Sequence, residues 1–208
     1  MKYGSFFGLG LLLATTTMSG GAYADGTWTG FYIGASGMYT SLDGKTNDTS
    51  GYLPTDPKLS GALLGIQSGY NMQMDNLVIG FESNTAFSTA HGSGFWQPPG
   101  NKPFKLDMNY LWTGRGRLGM ALGENDSTLL FVAGGLAMGN FDRTLSGNKE
   151  KRNHFGVVVG GGVEHMLTDN ISIKAEANYI ALGKKKYSQG EYVKFSGITA
   201  GMALDFHF

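Results

Sequence analysis

The chain has 208 residues, no cysteine and a formal net charge of +0. That length supports one domain with a substantial interior, and the charge balance gives no bulk attraction to nucleic acid. The lack of cysteine excludes disulfide staples and thiolate metal sites, and 34 glycines make any glycine-spaced motif cheap to find by chance.

Met1-Lys2, the apolar run from Phe6 to Ala14 and the small-residue ending Ala22-Tyr23-Ala24 have the order of a secretory signal peptide with an A-x-A cleavage site. The run is too short to cross a bilayer as a helix. It predicts a cleaved segment over 1–24 and an exported mature chain over 25–208, and no later segment is apolar enough for a transmembrane helix.

The mature chain then shows eight segments of period-two patterning. Their apolar faces begin with Phe31, Ile33, Ala35 and Tyr39, then Ala62, Leu64, Ile66, Tyr70 and Met72, then Leu77, Ile79 and Phe81. The fourth face reads Leu106, Met108, Tyr110, Trp112, Leu118 and Met120, and the fifth Leu130, Val132, Leu136 and Met138. The last three are Phe155 to Val163, Ile171 to Tyr179, and Ile198 to Phe208. Such alternation predicts strands with one apolar and one polar face. Short turns at Asp75-Asn76, Gly123 to Ser127 and Thr168 to Asn170 suit tight hairpins. They alternate with longer connections over 42–58, 89–105, 143–153 and 183–192. In an up-and-down meander, all long connections fall at one end and all short turns at the other.

Periodicity alone fits a soluble barrel or sandwich as well as a membrane barrel with its apolar face outward. Three features favour the membrane barrel. The segments exceed the usual soluble strand length of about five or six residues. Aromatics gather near segment ends, with Phe31, Tyr70, Phe206 and Phe208 toward one rim and Tyr39, Phe87, Tyr110 and Phe155 toward the other, as aromatic girdles do. The polar faces also carry charges that a soluble core would exclude.

Four stretches carry a family resemblance: "WTGFYIGASGMY" (28–39), "WTGRGRLGMAL" (112–122), "LLFVAGGLAMG" (129–139) and "GVEHMLTDNISIKAEANYIALG" (162–183). Together with the terminal phenylalanine, they resemble the porin-family small outer-membrane β-barrels of Gram-negative bacteria, the OmpA-like and opacity-type surface antigens. The resemblance covers essentially the whole mature chain. It implies an all-β, eight-stranded antiparallel up-and-down transmembrane β-barrel (OmpA/OmpX-like) in the outer membrane, with termini toward the periplasm and long loops extracellular. It also implies a C-terminal signal, Phe206 and Phe208, for the barrel assembly machinery.

"GRGRLG" at Gly114–Gly119 has dinucleotide-turn spacing, but no helix follows it, so the nucleotide reading lacks its structural context. Its arginines are more informative. Glu82, Arg115, Arg117, Glu164, Lys174 and Glu176 all fall on inward positions at similar depth, with Glu82 expected beside the arginines and Glu164 beside Lys174 and Glu176. An eight-stranded barrel is narrow enough for side chains to fill, so these six predict a structural polar plug, with a gate as the alternative. "HGSGFWQPPG" places His91, Ser93 and Trp96 in a glycine-rich loop. Lipid A-modifying barrels use His and Ser, but no acidic residue is local in sequence to orient His91, and haemin ligation by His91 is a further alternative. Lys184, Lys185 and Lys186, with Arg143, Lys149, Lys151 and Arg152, make basic outer loops suited to lipopolysaccharide phosphates or an anionic host ligand. The overall expectation is a monomeric, non-enzymatic envelope protein in contact with outer-membrane lipid, with no cofactor, no metal and no nucleic-acid partner. A narrow passive channel is the main alternative, and wide porins need about sixteen strands.

Overall fold

Glycine, β-branched and aromatic residues alternating over long runs leave the backbone one way to satisfy its polar groups in lipid, which is to pair every strand on both sides. The computed structural model describes residues 26–47, 56–96, 102–145, 148–186 and 192–208; the expected signal peptide lies outside them. The strands are β1 Gly30–Asn47, β2 Lys58–Met74, β3 Leu77–Ser88, β4 His91–Trp96, β5 Lys102–Leu122, β6 Thr128–Leu145, β7 Asn148–Met166, β8 Ile171–Lys186 and β9 Tyr192–His207. Each pairs antiparallel with its neighbours, and β1 pairs both β2 and β9, which closes the ring. β3 and β4 share one place in that ring, because both lie between β2 and β5. The result is an eight-stranded antiparallel up-and-down barrel. A single 3₁₀ turn, Glu124–Asp126, joins β5 to β6.

The membrane band is the continuous outward apolar surface. On β6 it comprises Leu130, Val132, Leu136 and Met138 around Gly134, and on β7 Val163, Val159, Val157 and Phe155. Phe31 packs edge-on against Tyr70 (4.7 Å) at the short-turn rim, and Phe206 and Phe208 are exposed beside them. Tyr39, Phe87 and Phe155 are exposed at the other rim. Extracted barrel should therefore migrate as a compact band on a denaturing gel until it is boiled; identical migration with and without boiling would contradict closure.

Two expectations need correction. Strands run into all four segments expected to be long connections: β6 ends at Leu145 and β7 begins at Asn148, so most of 143–153 is barrel wall. The reason is a reversal of polarity above the upper girdle. There the interior holds an apolar cluster of Leu42, Leu59, Leu106, Met108, Phe141, Leu182, Val193 and Phe195. The outward face is polar, with Asp43, Lys58, Lys149 and Lys151. Outside lipid the ordinary hydrophobic effect takes over, and each strand carries a soluble-type core on top of a membrane-type one. Leu106 and Met108 were expected on the lipid-facing side with Trp112, but they are buried inside. A β-bulge between Met108 and Tyr110 inserts one residue and flips the parity.

Candidate functional site

The barrel's middle layer is built from inward positions on seven strands, β1, β2, β3, β5, β7, β8 and β9. Glu82 on β3 is its hub, fully buried. It accepts hydrogen bonds from Arg115 Nη2, from Lys174 Nζ at 2.5 Å and from the Tyr32 hydroxyl at 2.9 Å, and Arg117 Nη1 lies 3.5 Å from it. Arg115 also donates to Glu176 Oε2 (2.9 Å) and to Asn178 Oδ1 (2.7 Å). Arg117 donates to Glu164 Oε2 (2.6 Å) and to the Tyr32 hydroxyl (2.8 Å), and its guanidinium lies over the Phe131 ring at 4.2 Å. Ser172 donates to Glu164 Oε1 (2.6 Å), and His207 Nε2 lies 3.5 Å from the same oxygen. Lys174 Nζ lies 3.6 Å from Asp205 Oδ2, while Gln67 donates to Asp205 Oδ1 (2.6 Å).

All six residues singled out in the sequence enter this network. Glu82 faces Arg115 in register, and Glu164 faces Lys174. Glu82 and Arg115 are in direct contact, but the second pair is not joined along the wall. Glu164 is held by Arg117 from β5, and Lys174 reaches across the interior to Glu82. In so narrow a barrel, long cationic side chains find partners across the lumen as easily as along the wall. Sequence reasoning missed Tyr32, Asp205 and His207. Their inward parity on the first and last strands was readable, because β1 and β9 close the ring beside β8. With Asp205 included, four carboxylates face two arginines and a lysine, and His207 lies beside Glu164.

Apolar side chains pack toward both ends of the lumen. At the short-turn end, the fully buried Trp28 donates its indole N–H to the Asp126 carbonyl (2.7 Å). It packs with Val78, Ala121, Leu129, Phe131 and Ala133. At the other end Phe141 stacks on Phe195 (centroids 4.4 Å apart), and both meet the buried His154 ring edge-on. Between this apolar cluster and Arg115 is a cavity of about 20 Å³, room for a single water.

The remaining candidates lie toward the upper end. His91 and Trp96 were expected in a loop but belong to β4, because β4 continues the β3 position against β5. The register sets Asp107 opposite His91 and Lys105 opposite Ser93, so a carboxylate is near after all. The His91 ring instead has its Nδ1 3.1 Å from the Thr89 carbonyl, and among the described residues no hydrogen bond joins it to Ser93 or Asp107. Lys184, Lys185 and Lys186 end β8, and Lys185 Nζ lies 5.8 Å from the Phe155 ring centroid. On the outward face, Lys149 of β7 contacts Asp142 of β6 at 2.8 Å. Burial works to raise the Asp142 carboxyl, but hydrogen bonds from Lys149 and Asn109 outweigh it and hold the group below the usual aspartate range.

A family model described as an outer membrane protein β-barrel domain matches residues 10–206. The chain belongs to that family. This barrel is similar to a 22 kDa outer membrane protein of Rhizobium leguminosarum bv. viciae, 32% identical over 78% of this chain and 68% of the relative. It is also similar to a 31 kDa outer-membrane immunogenic protein of Brucella melitensis, 29% identical over 76% and 73%. Among solved structures it superposes on the outer membrane protein OprG of Pseudomonas aeruginosa with a TM-score of 0.62, at 16% identity, over 88% of this chain and 99% of that one. Neisserial surface protein A gives 0.52, at 16% identity, over 86% and 98%. Family and fold agree on a Gram-negative outer-membrane barrel, and "GRGRLG" is part of its wall. Arg115 and Arg117 point into the lumen, and Gly114 leaves room for the Trp112 indole, 3.0 Å from where a Cβ would stand.

Proposed function

We propose that this outer-membrane barrel is a non-enzymatic envelope protein whose interior network is a structural plug. Its long-connection end faces the cell surface and meets anionic matter there, and its termini face the periplasm. The observation that carries this reading is a segregation of charge. Setting aside Lys2 and the three interior cations, the remaining twelve of the sixteen Lys and Arg residues fall in the upper parts of the strands, from Lys45 to Lys194. The short turns carry Asp75, Glu124, Asp126 and Asp169 and no Lys or Arg. A cationic end attracts phosphorylated or sulfated surfaces over a Debye length or more. Exposed Phe208, whose N–H donates to the Phe31 carbonyl (3.0 Å), ends the barrel at the periplasmic rim, where assembly machinery would meet Phe206 and Phe208.

The same segregation supplies the test. Every mature lysine except the buried Lys174 lies at the upper end. A membrane-impermeant amine reagent applied to intact cells should label the protein heavily, at Lys58 and Lys194 among others. Labelling that appears only after the outer membrane is permeabilised would invert the orientation and overturn the surface reading.

A further inference from the structure

We propose that the outward face of β5, β6 and β7 is a docking site for one lipopolysaccharide molecule, with its lipid A phosphate held at the lysines and one acyl chain ending in a groove at mid-membrane. The inference rests on the orientation argued above and goes beyond it by naming the partner and its two points of contact.

The register places three polar rows on this face, directly above the girdle row of Trp112, Met138 and Phe155. The first is a chain of amides: Asn109 donates to Asn140 (2.8 Å), and Asn140 donates to Asn153 (2.5 Å). The second aligns Asp107, Asp142 and Lys151, and the third Lys105, Thr144 and Lys149. Lys185 approaches from β8 over Phe155. Four lysines thus stand against two aspartates, and one of those aspartates is already held by Lys149. The remaining excess is positive, on a surface rich in amide donors, as a phosphorylated sugar headgroup requires.

Below the girdle, the same strands and the adjoining β3 carry a groove of about 400 Å³ lined by Ile79, Gly116, Leu118, Val132, Gly134 and Val159. Gly116 and Gly134 are register partners, so two adjacent strands lack a side chain at one level. That level is mid-band, since Leu130 and Val132 lie below Gly134 on β6 and Leu136 and Met138 above it. Gly134 is eight positions from Asp142. At about 3.3 Å per residue and a strand tilt near 40°, the headgroup row stands roughly 20 Å above the groove. One leaflet of hydrocarbon is about 15 Å. A lipid with its phosphate at Lys151 therefore brings an acyl chain end to the groove. Lipopolysaccharide is favoured as occupant because the face opens to the outer leaflet and the excess charge is cationic.

The two contact points can be removed separately. A Cβ at Gly134 would meet only the Val158 carbonyl, at 3.7 Å, so Gly134→Leu fills the groove without straining the barrel. Lys149→Gln with Lys151→Gln neutralises the head site on an exposed surface. A control triple, Lys45→Gln, Lys58→Gln and Lys194→Gln, removes the same kind of charge from the opposite wall. Each barrel is refolded in detergent and given purified lipopolysaccharide, dephosphorylated lipopolysaccharide or phosphatidylglycerol, and retained lipid is counted by native mass spectrometry. Wild type and the control triple should retain one lipopolysaccharide. Gly134→Leu and the Lys149/Lys151 pair should each lose about tenfold in affinity, and the other two lipids should bind wild type no better than those variants do. Equal loss in the control triple would reduce the site to general rim attraction, leaving the surface reading intact. Retention of phosphatidylglycerol in its place, or no retention by wild type, would overturn the proposal. A wild-type dimer that Gly134→Leu converts to monomer would assign the groove to a second copy and overturn it as well.

Discussion

Arg115→Met should destabilise the barrel by about 3–5 kcal/mol, the usual cost of breaking a buried ion pair from one side. Glu82→Gln should cost far less, on the order of 1–2 kcal/mol, the scale of a hydrogen bond to a charged group, even though Glu82 has more partners. The reason is the charge count. Each interior cation has a second carboxylate: Glu176 for Arg115 at 2.9 Å, Glu164 for Arg117 at 2.6 Å and Asp205 for Lys174 at 3.6 Å. Removing the charge of Glu82 leaves three cations and three carboxylates. Removing Arg115 leaves four carboxylates against two cations, with Glu82 and Glu176 facing each other. Urea unfolding in lipid vesicles reads the difference directly. If Glu82→Gln is the more damaging of the two, hydrogen-bond geometry rather than charge balance holds the plug. A double variant, Arg115→Met with Glu176→Leu, should recover more than half of the Arg115 loss, because a whole buried pair can be replaced by apolar volume at little cost.

What the sequence made readable follows the solvent. Between the girdles lipid imposes one rule, apolar outward, and strict parity from Trp112 to Met120 was enough to point Arg115 and Arg117 inward. Above the upper girdle the rule reverses, because water is outside and the interior can be apolar. Leu106 and Met108 looked like a continuation of the lipid-facing row only because a bulge at Asn109 shifted the parity at the place where the rule changed. The same blind spot shortened the strands: basic, polar residues such as Lys149 and Lys151 read as loop, yet they are the wet face of a wall whose dry face is Phe141 and Phe195. Tyr32, Asp205 and His207 escaped for another reason. Each has its partners on strands distant in sequence, Tyr32 meeting Glu82 and Arg117 across separations of 50 and 85 residues.

Trp28 opens the first stretch of family resemblance, and its substitution is the second large expected effect. The residue precedes β1 and turns across the lumen to the β5–β6 turn on the opposite wall. Its backbone N–H donates to Gln73 Oε1 (3.1 Å), and Gln73 Nε2 donates to Asp126 Oδ2 (2.9 Å). The turn it meets has Asn125 and Asp126 at φ 56° and 55°, a conformation that costs energy away from glycine and that Trp28 and Gln73 hold in place. Trp28→Ala should therefore cost about 3–5 kcal/mol. Trp28→Phe should cost roughly 1–2 kcal/mol, since it keeps most of the packing and loses the indole donor to the Asp126 carbonyl. The two variants also separate plug from channel. If the lumen is closed in layers, removing the lower cap alone exposes Tyr32 and His207 to the periplasmic side but leaves the ion-paired middle and the Phe141–Phe195 cluster above it intact. Planar bilayers holding Trp28→Ala should then show no more current than wild type, despite the loss of stability. A steady conductance that appears in Trp28→Ala and is absent from Trp28→Phe would make Trp28 the sole barrier, and the interior network would have to be read as the lining of a water path.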